Sequence, residues 1–279
     1  MWTDRVRLLD DASVASWLPP RVSGAMGTVT GVVPAGYPAY TRVLHPVDAE
    51  TDRAPAARWS EVARVTGRRV HPLVQWHRLI GSAEPWNPES PLWPEGRPNQ
   101  GSLATPPLLA LCRVLVEHTR TPEDCTFALW EGFGHLHGGM RMLLTAQHPS
   151  RAPRRIPRLG RRRARWTSGV PVPGALDDTE LRAPRLELPG RDYLLFAGPL
   201  DAIEDFVRYE SDPFPGEQSP NLFWPADRSW CVGTEIDFDS TLVAGDADLI
   251  AAVLASRELE AWPVLPGDSL RYDADTVNG

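Results

Sequence analysis

The residues best suited to chemistry fall in a few short strings. The densest is 235–239, Glu-Ile-Asp-Phe-Asp. In an extended strand side chains alternate, so Glu235, Asp237 and Asp239 share one face and Ile236 and Phe238 the other. Three carboxylates on one face can hold a hard divalent cation, Mg²⁺ or Mn²⁺, that activates water for phosphoester hydrolysis. Arginine pairing also satisfies them, and on the solvent face of an edge strand they need no partner and discourage edge-to-edge association.

A second string, 131–139, reads Glu-Gly-Phe-Gly-His-Leu-His-Gly-Gly. Were it extended, Glu131, His135 and His137 would converge, and two histidines with one carboxylate make a facial metal triad. Its glycines work against extended geometry, and where a cupin-type site has a further glutamate the chain has Arg141 and Met142. The enzymatic reading is thus a divalent-metal hydrolase, with the 235–239 carboxylates on the ion and His135 or His137 as general base. No histidine follows His148, so that base must come from the N-terminal half.

The third feature is a load of 11 tryptophans, several beside proline: Pro85-Trp86, Trp93-Pro94, Trp224-Pro225 and Trp262-Pro263. Tryptophan anchors interfaces, and proline lowers the entropy lost on binding. Most of the tryptophans are expected in the core. Trp86, Trp93, Trp224 and Trp230 are expected to frame an apolar groove for a peptide or protein partner, and a binding or regulatory role is favoured over an enzymatic one.

All 29 basic residues are arginine. The lysine-free composition excludes lysine Schiff bases, pyridoxal-phosphate attachment, Walker-type phosphate loops and kinase-type active sites supplied by this chain alone. It also fits the codon usage of a GC-rich genome. Nine arginines and no acid lie in 141–165, including Arg154, Arg155, Arg161, Arg162 and Arg163. Guanidinium forks suit nucleic-acid phosphates, but three prolines interrupt the run, and Trp166 alone is near enough to stack a base, so a solvated loop is the competing reading. Serine-nucleophile elbows, zinc-protease helices, dinucleotide-binding glycine loops and calcium loops are not found in the sequence.

These residues must be positioned by secondary structure. Helices are expected at 58–66, 71–80 and 105–119, the last with Thr105 as N-cap and Pro106 at its first position. Strands are expected at 125–130, 191–197, 230–238 and 261–265, with a helical face after Leu200 and a helix capped by Asp246. The five prolines of 84–101 point to an ordered surface loop. The whole reads as an α+β protein of two lobes: a helix-rich N-terminal lobe (1–146) and a mixed strand and helix C-terminal lobe (190–279), joined by an Arg/Pro-rich linker or surface loop (147–189). Residues 1–175 carry a net +8 and 176–279 a net −15, for −7 overall, so the two parts should attract.

Cys112, Cys125 and Cys231 are odd in number and widely spaced, which favours reduced, buried thiols. The N-terminal residues lack the apolar run of a secretory signal, and 106–116, the most apolar stretch, is too short to span a bilayer. A cytoplasmic protein with no membrane contact is expected. The string 220–238, Pro-Asn-Leu-Phe-Trp-Pro-Ala-Asp-Arg-Ser-Trp-Cys-Val-Gly-Thr-Glu-Ile-Asp-Phe, with Tyr40-Thr-Arg-Val-Leu-His-Pro46 and Trp59-Ser-Glu-Val-Ala63, resembles an uncharacterised protein family of actinobacteria. The resemblance spans most of both lobes, implies a non-secreted protein and brings no activity or cofactor with it.

Overall fold

The computed structural model describes residues 4–48, 56–94, 96–137, 139–141, 170–172, 174–204, 208–209 and 216–279. The arginine run with Arg154, Arg155, Arg161, Arg162 and Arg163, and with it most of the expected linker, lies outside the described residues.

The chain is a mixture of helix and antiparallel sheet, the expected α+β class. In chain order the strands are β1 (Arg7–Leu8), β2 (Ala39–Leu44), β3 (Val47–Asp48), β4 (Arg97–Pro98), β5 (Cys125–Trp130), β6 (Gly139–Arg141), β7 (Val170–Val172), β8 (Arg185–Leu188), β9 (Arg191–Gly198), β10 (Arg208–Tyr209), β11 (Gly216–Glu217), β12 (Leu222–Pro225), β13 (Cys231–Gly233), β14 (Ser240–Gly245) and β15 (Ala261–Val264). Nine of them form one sheet in the order β1-β9-β5-β12-β13-β14-β2-β15, with β8 also pairing with β9, beside β1 on the edge away from β5. The rest pair as β3–β4, β6–β7 and β10–β11.

This sheet does not follow the expected lobe boundary. β5 lies between β9 and β12, and β2 between β14 and β15, so strands from either side of 147–189 alternate in one sheet. The unequal charge of the two parts appears in three ion pairs joining them, Arg5–Asp201, Arg42–Asp239 and Arg113–Glu258, while a fourth, Glu131–Arg185, runs the opposite way.

Alternation along the strands divides the core. Val43, Phe127, Leu129, Leu194, Phe196, Phe223, Val232 and Val243 pack with α3 (Thr105–Leu115) and with the C-terminal helix Ala247–Ala255. Their neighbours Ala128, Tyr193, Leu195, Leu222, Trp224 and Cys231 pack instead with Trp17, Leu18 and Val22. A sheet covered on both faces has no polar face, which is why its strands read as near-continuous apolar runs.

Among the described residues the α-helices of four residues or more are α1 (Trp59–Thr66), α2 (Trp76–Ile80), α3, α4 (Gly134–His137) and α5 (Ala247–Ala255). α1 and α2 each stop at a glycine in the left-handed region, Gly67 at φ 70° and Gly81 at φ 77°, a conformation that costs glycine little. Asp246 caps α5 as expected, its carboxylate accepting from Leu249 N at 2.7 Å. α3 begins one residue earlier than expected, with Ala104 as N-cap. The open N-terminus of α1 is closed from afar: Glu260 accepts from Trp59 N at 2.7 Å and Ser60 N at 2.8 Å, a carboxylate at the positive end of the helix. All three cysteines are free and buried, and burial pushes the Cys125 thiol up to about 12.

The C-terminal segment is fastened by one buried carboxylate. Asp275 accepts from His71 Nε2 (2.8 Å), Gln75 N (3.2 Å), Val277 N and Asn278 N (3.0 Å each) and Asn278 Nδ2 (2.9 Å). Burial raises its pKa, but these donors together outweigh burial and hold it at about 2. A folded-state pKa below the unfolded value of about 3.9 adds stability above that value and loses it as pH falls toward 2. Urea unfolding of the wild type should therefore show a loss on the order of 1–2 kcal/mol between pH 4 and pH 2 that Asp275→Asn lacks.

Candidate functional site

A cleft of about 1310 Å³ opens between the loop 85–100, the start of α2, the β13–β14 turn and the segments around Met26 and Tyr272. Two of the expected tryptophans and all three expected carboxylates line it: Trp86, Trp93, Glu235, Asp237 and Asp239. Features read separately in the sequence thus meet in one place.

The carboxylates reach it by a different local structure. β13 ends at Gly233 and β14 starts at Ser240, so 235–239 is a turn, closed by Phe238 N donating to Glu235 O at 3.0 Å, and not the expected strand. Gly101 packs onto this turn at φ 75°, where a Cβ would meet Ile236 O at 2.5 Å; only glycine allows that approach. In a turn the three acids have no common face. Arg191 Nη2 donates to Glu235 Oε1 (2.8 Å) and Asp237 Oδ2 (3.2 Å), and its Nε to Glu235 Oε1 (3.1 Å). Asp239 turns inward and pairs with Arg42 Nη2 at 3.2 Å. Among the described residues no group of three His, Cys, Asp or Glu side chains is placed to hold a metal ion. The acids are satisfied by arginine, the second of the ways open to them.

Arg42, from β2, forms the floor. Its side chain is 1% exposed. Nε donates to Ser240 Oγ (2.8 Å), Nη1 to the carbonyls of Pro72 (3.2 Å) and Val74 (2.8 Å), and the guanidinium lies 6.0 Å from the Trp59 ring. Burial pulls the pKa of Arg42 down and pushes that of Asp239 up, and in each the partner's charge offsets part of the shift. Beside them His45 is buried and neutral, its pKa lowered by desolvation to about 4. Nδ1 faces the Asn99 carbonyl at 2.6 Å and so carries the proton, and Nε2 accepts from Thr241 at 2.9 Å.

The rim is aromatic and exposed. Trp86 is 79% exposed, Met26 70% and Tyr272 43%, with the rings of Trp86 and Tyr272 5.7 Å apart. Trp76 and Trp93 complete the wall. Prolines 85, 88, 91, 94, 98 and 189 stiffen the lining, and four arginines (42, 97, 191, 271) balance four acids (Glu89, Glu235, Asp237, Asp239) among the described residues.

The remaining candidates lie elsewhere. Trp224 and Trp230, expected to frame the groove, are 1% and 0% exposed, because β12 and β13 are central strands with both faces covered. The Trp230 indole donates to Leu115 O at 3.1 Å, and Trp224 stacks edge-on to Trp17. Residues 131–137 do not form an extended strand: Glu131 bonds Arg185 at 2.9 Å, His137 Nε2 lies 2.5 Å from Glu131 O, and His135 of α4 stacks on Phe133 just before the helix. Its histidines do not line the cleft. Sequence reasoning missed Arg42, Trp76, Arg191 and Tyr272 as cleft residues. Arg42 alone left a trace, as the one charge in the apolar string Ala39–Leu44.

Compared with known proteins, the chain matches no family model, no curated protein and no solved structure. Among the described residues no helix is long and apolar enough to cross a membrane. The fold and site therefore define an α+β protein with a large, charge-balanced, aromatic-rimmed cleft.

Removing one partner of a buried ion pair leaves the other uncompensated, at about 3–5 kcal/mol. Arg42→Met should cost that much at pH 7 in chemical denaturation. The loss should shrink as pH falls, because burial has already raised the Asp239 carboxyl and, without Arg42 to oppose that rise, protonation removes its buried charge.

Proposed function

We propose that this protein is a binding or regulatory protein whose cleft takes a peptide segment of a protein partner. The observation that carries this reading is the exposed aromatic rim. Trp86, Met26 and Tyr272 place large apolar surface in water at the mouth of a concave site, where folding alone gives them nothing to bury against. Rigid aromatic anchors around a pocket are the usual seat of binding energy at interfaces, since desolvating a tryptophan yields much at little entropy cost. Two further exposed apolar side chains, Leu92 (49%) and Val277 (51%), line a second hollow by the C-terminal residues.

A metal-dependent hydrolase has less support. Its carboxylates do line the cleft, but they are held by Arg191 and Arg42, and the proposed base residues lie away from it.

A displayed library of random peptides, selected on the whole protein, tests the binding reading. Enriched peptides should lose affinity about tenfold or more on Trp86→Ala or Tyr272→Ala. The melting curve should hold, since substituting side chains this exposed changes stability by about 0.5 kcal/mol or less. A library that yields no binder sensitive to either substitution refutes the proposal.

A further inference from the structure

We infer that the peptide taken by this cleft presents an uncharged amide group to Gln75 and His77, an inference that rests on the cleft being a peptide site. Both side chains line the cleft where α2 begins, and the two residues are only 8% and 5% exposed. Gln75 donates its backbone N–H to Asp275 and its Nε2 to the Leu270 carbonyl (3.2 Å each), which leaves its side-chain oxygen without a donor among the described residues. Neither ring nitrogen of His77 has a hydrogen-bond partner among the described residues, and neither is sealed from solvent as the indole nitrogens of Trp76 and Trp93 are. His45, as buried, has both its nitrogens engaged, by the Asn99 carbonyl and Thr241. Glu89, Asn87, Gln100, Arg97 and Arg271 also bring open polar groups to the lining, but these residues are exposed and bulk water satisfies them. Water reaches a nearly buried group only through the cleft, so a ligand that fills the cleft must replace that water's bonds or lose affinity.

The chemistry of the ligand follows from the protonation of His77. Burial lowers its pKa, the Arg78 charge adds to the shift and Asp275 opposes it, so near pH 7 the ring is neutral and carries one N–H. With the open oxygen of Gln75, that makes one donor and one acceptor on side chains two residues apart. An amide is the complement: its C=O and N–H lie on separate atoms, so the first accepts from His77 while the second donates to Gln75. A carboxylate has no proton for Gln75 and would call for a charged His77, which burial and Arg78 oppose. An ammonium would stand beside Arg78, and Asp275, the nearby carboxylate, is already bonded by His71, Gln75, Val277 and Asn278. In a peptide the amide is either a peptide bond or the side chain of an asparagine or glutamine.

Binders from the same selection, sequenced and resynthesised, decide the matter. His77→Phe keeps a flat ring and removes the donor, and should weaken rim-dependent binders by about two- to tenfold, the worth of one neutral hydrogen bond. N-methylating one peptide bond, or replacing one asparagine or glutamine of the peptide by leucine, should weaken binding to the wild type by a similar factor. The same change should have little further effect on a variant carrying both His77→Phe and Gln75→Leu, which lacks both partners. Whether methylation or leucine gives that coupling tells a peptide bond from a side-chain amide. If the substituted proteins fail to fold, the imidazole nitrogen NMR signals of His77 in the wild type give the test: they should move on adding the selected peptide, and move less with its methylated or leucine analogue. Rim-dependent binders indifferent to His77→Phe, His77 signals that the peptide leaves unmoved, or a coupled group that proves to be a carboxylate or an ammonium would overturn the amide assignment and leave the peptide site standing. A library with no binder sensitive to Trp86→Ala or Tyr272→Ala overturns both.

Discussion

The guanidinium of Arg42, buried beneath the cleft, holds three parts of the molecule to one another. It sits on a central strand, bonds the head of β14 through Ser240, the approach to α2 through two carbonyls and the β13–β14 turn through Asp239. A charge in that position is tolerable only if every donor direction is met. The surrounding backbone supplies the carbonyls, and Asp239 supplies the counter-charge. The requirement fixes where the turn can lie, and hence where Glu235 and Asp237 emerge to meet Arg191. The floor and one wall of the cleft follow from satisfying one buried side chain.

The cleft thus combines a hydrogen-bonded floor with an exposed rim. Beneath it, paired and hydrogen-bonded groups, with His45 neutral between Asn99 and Thr241, resist rearrangement, since each would leave an unsatisfied polar atom behind. At its mouth, Trp86, Tyr272 and Met26 make few constraining contacts and stand in solvent. A hydrogen-bonded floor beneath an exposed aromatic rim fits the peptide binding proposed for the cleft. The same pairing explains why acids that look like a metal site are not arranged as one: Arg191 and Arg42 hold them in a geometry that a divalent ion would have to break.

Much of the fold was legible in the sequence. Apolar runs marked β5, β9 and β15, the Asp246 cap marked α5, and Gly67 ended α1, all because these signals depend on neighbours a few residues away. Strands β1, β2, β8, β12 and β14 went unread, and β13 was read five residues too long at its end. At β2 and β13 burial on two faces, or a turn forced by Arg42, overrode local alternation. The sheet lends no support to the two-lobe division, for a related reason. A long proline-rich stretch looks like a boundary, but strand pairing does not respect chain order, and the strands on either side interleave.

By itself the sequence determined the α+β class, the core tryptophans Trp59 and Trp76, the reduced cysteines and two anchors of the cleft, Trp86 and Trp93. These follow from composition, periodicity and the stiffness of proline. Only the tertiary structure decided that Trp224 and Trp230 are core, that the acids are arginine-bound, and that Arg42, Arg191 and Tyr272 join Trp86 in one cleft. Each of those outcomes turns on which groups distant in sequence meet in space. That is set by the order of strands in the sheet, which no local spacing encodes.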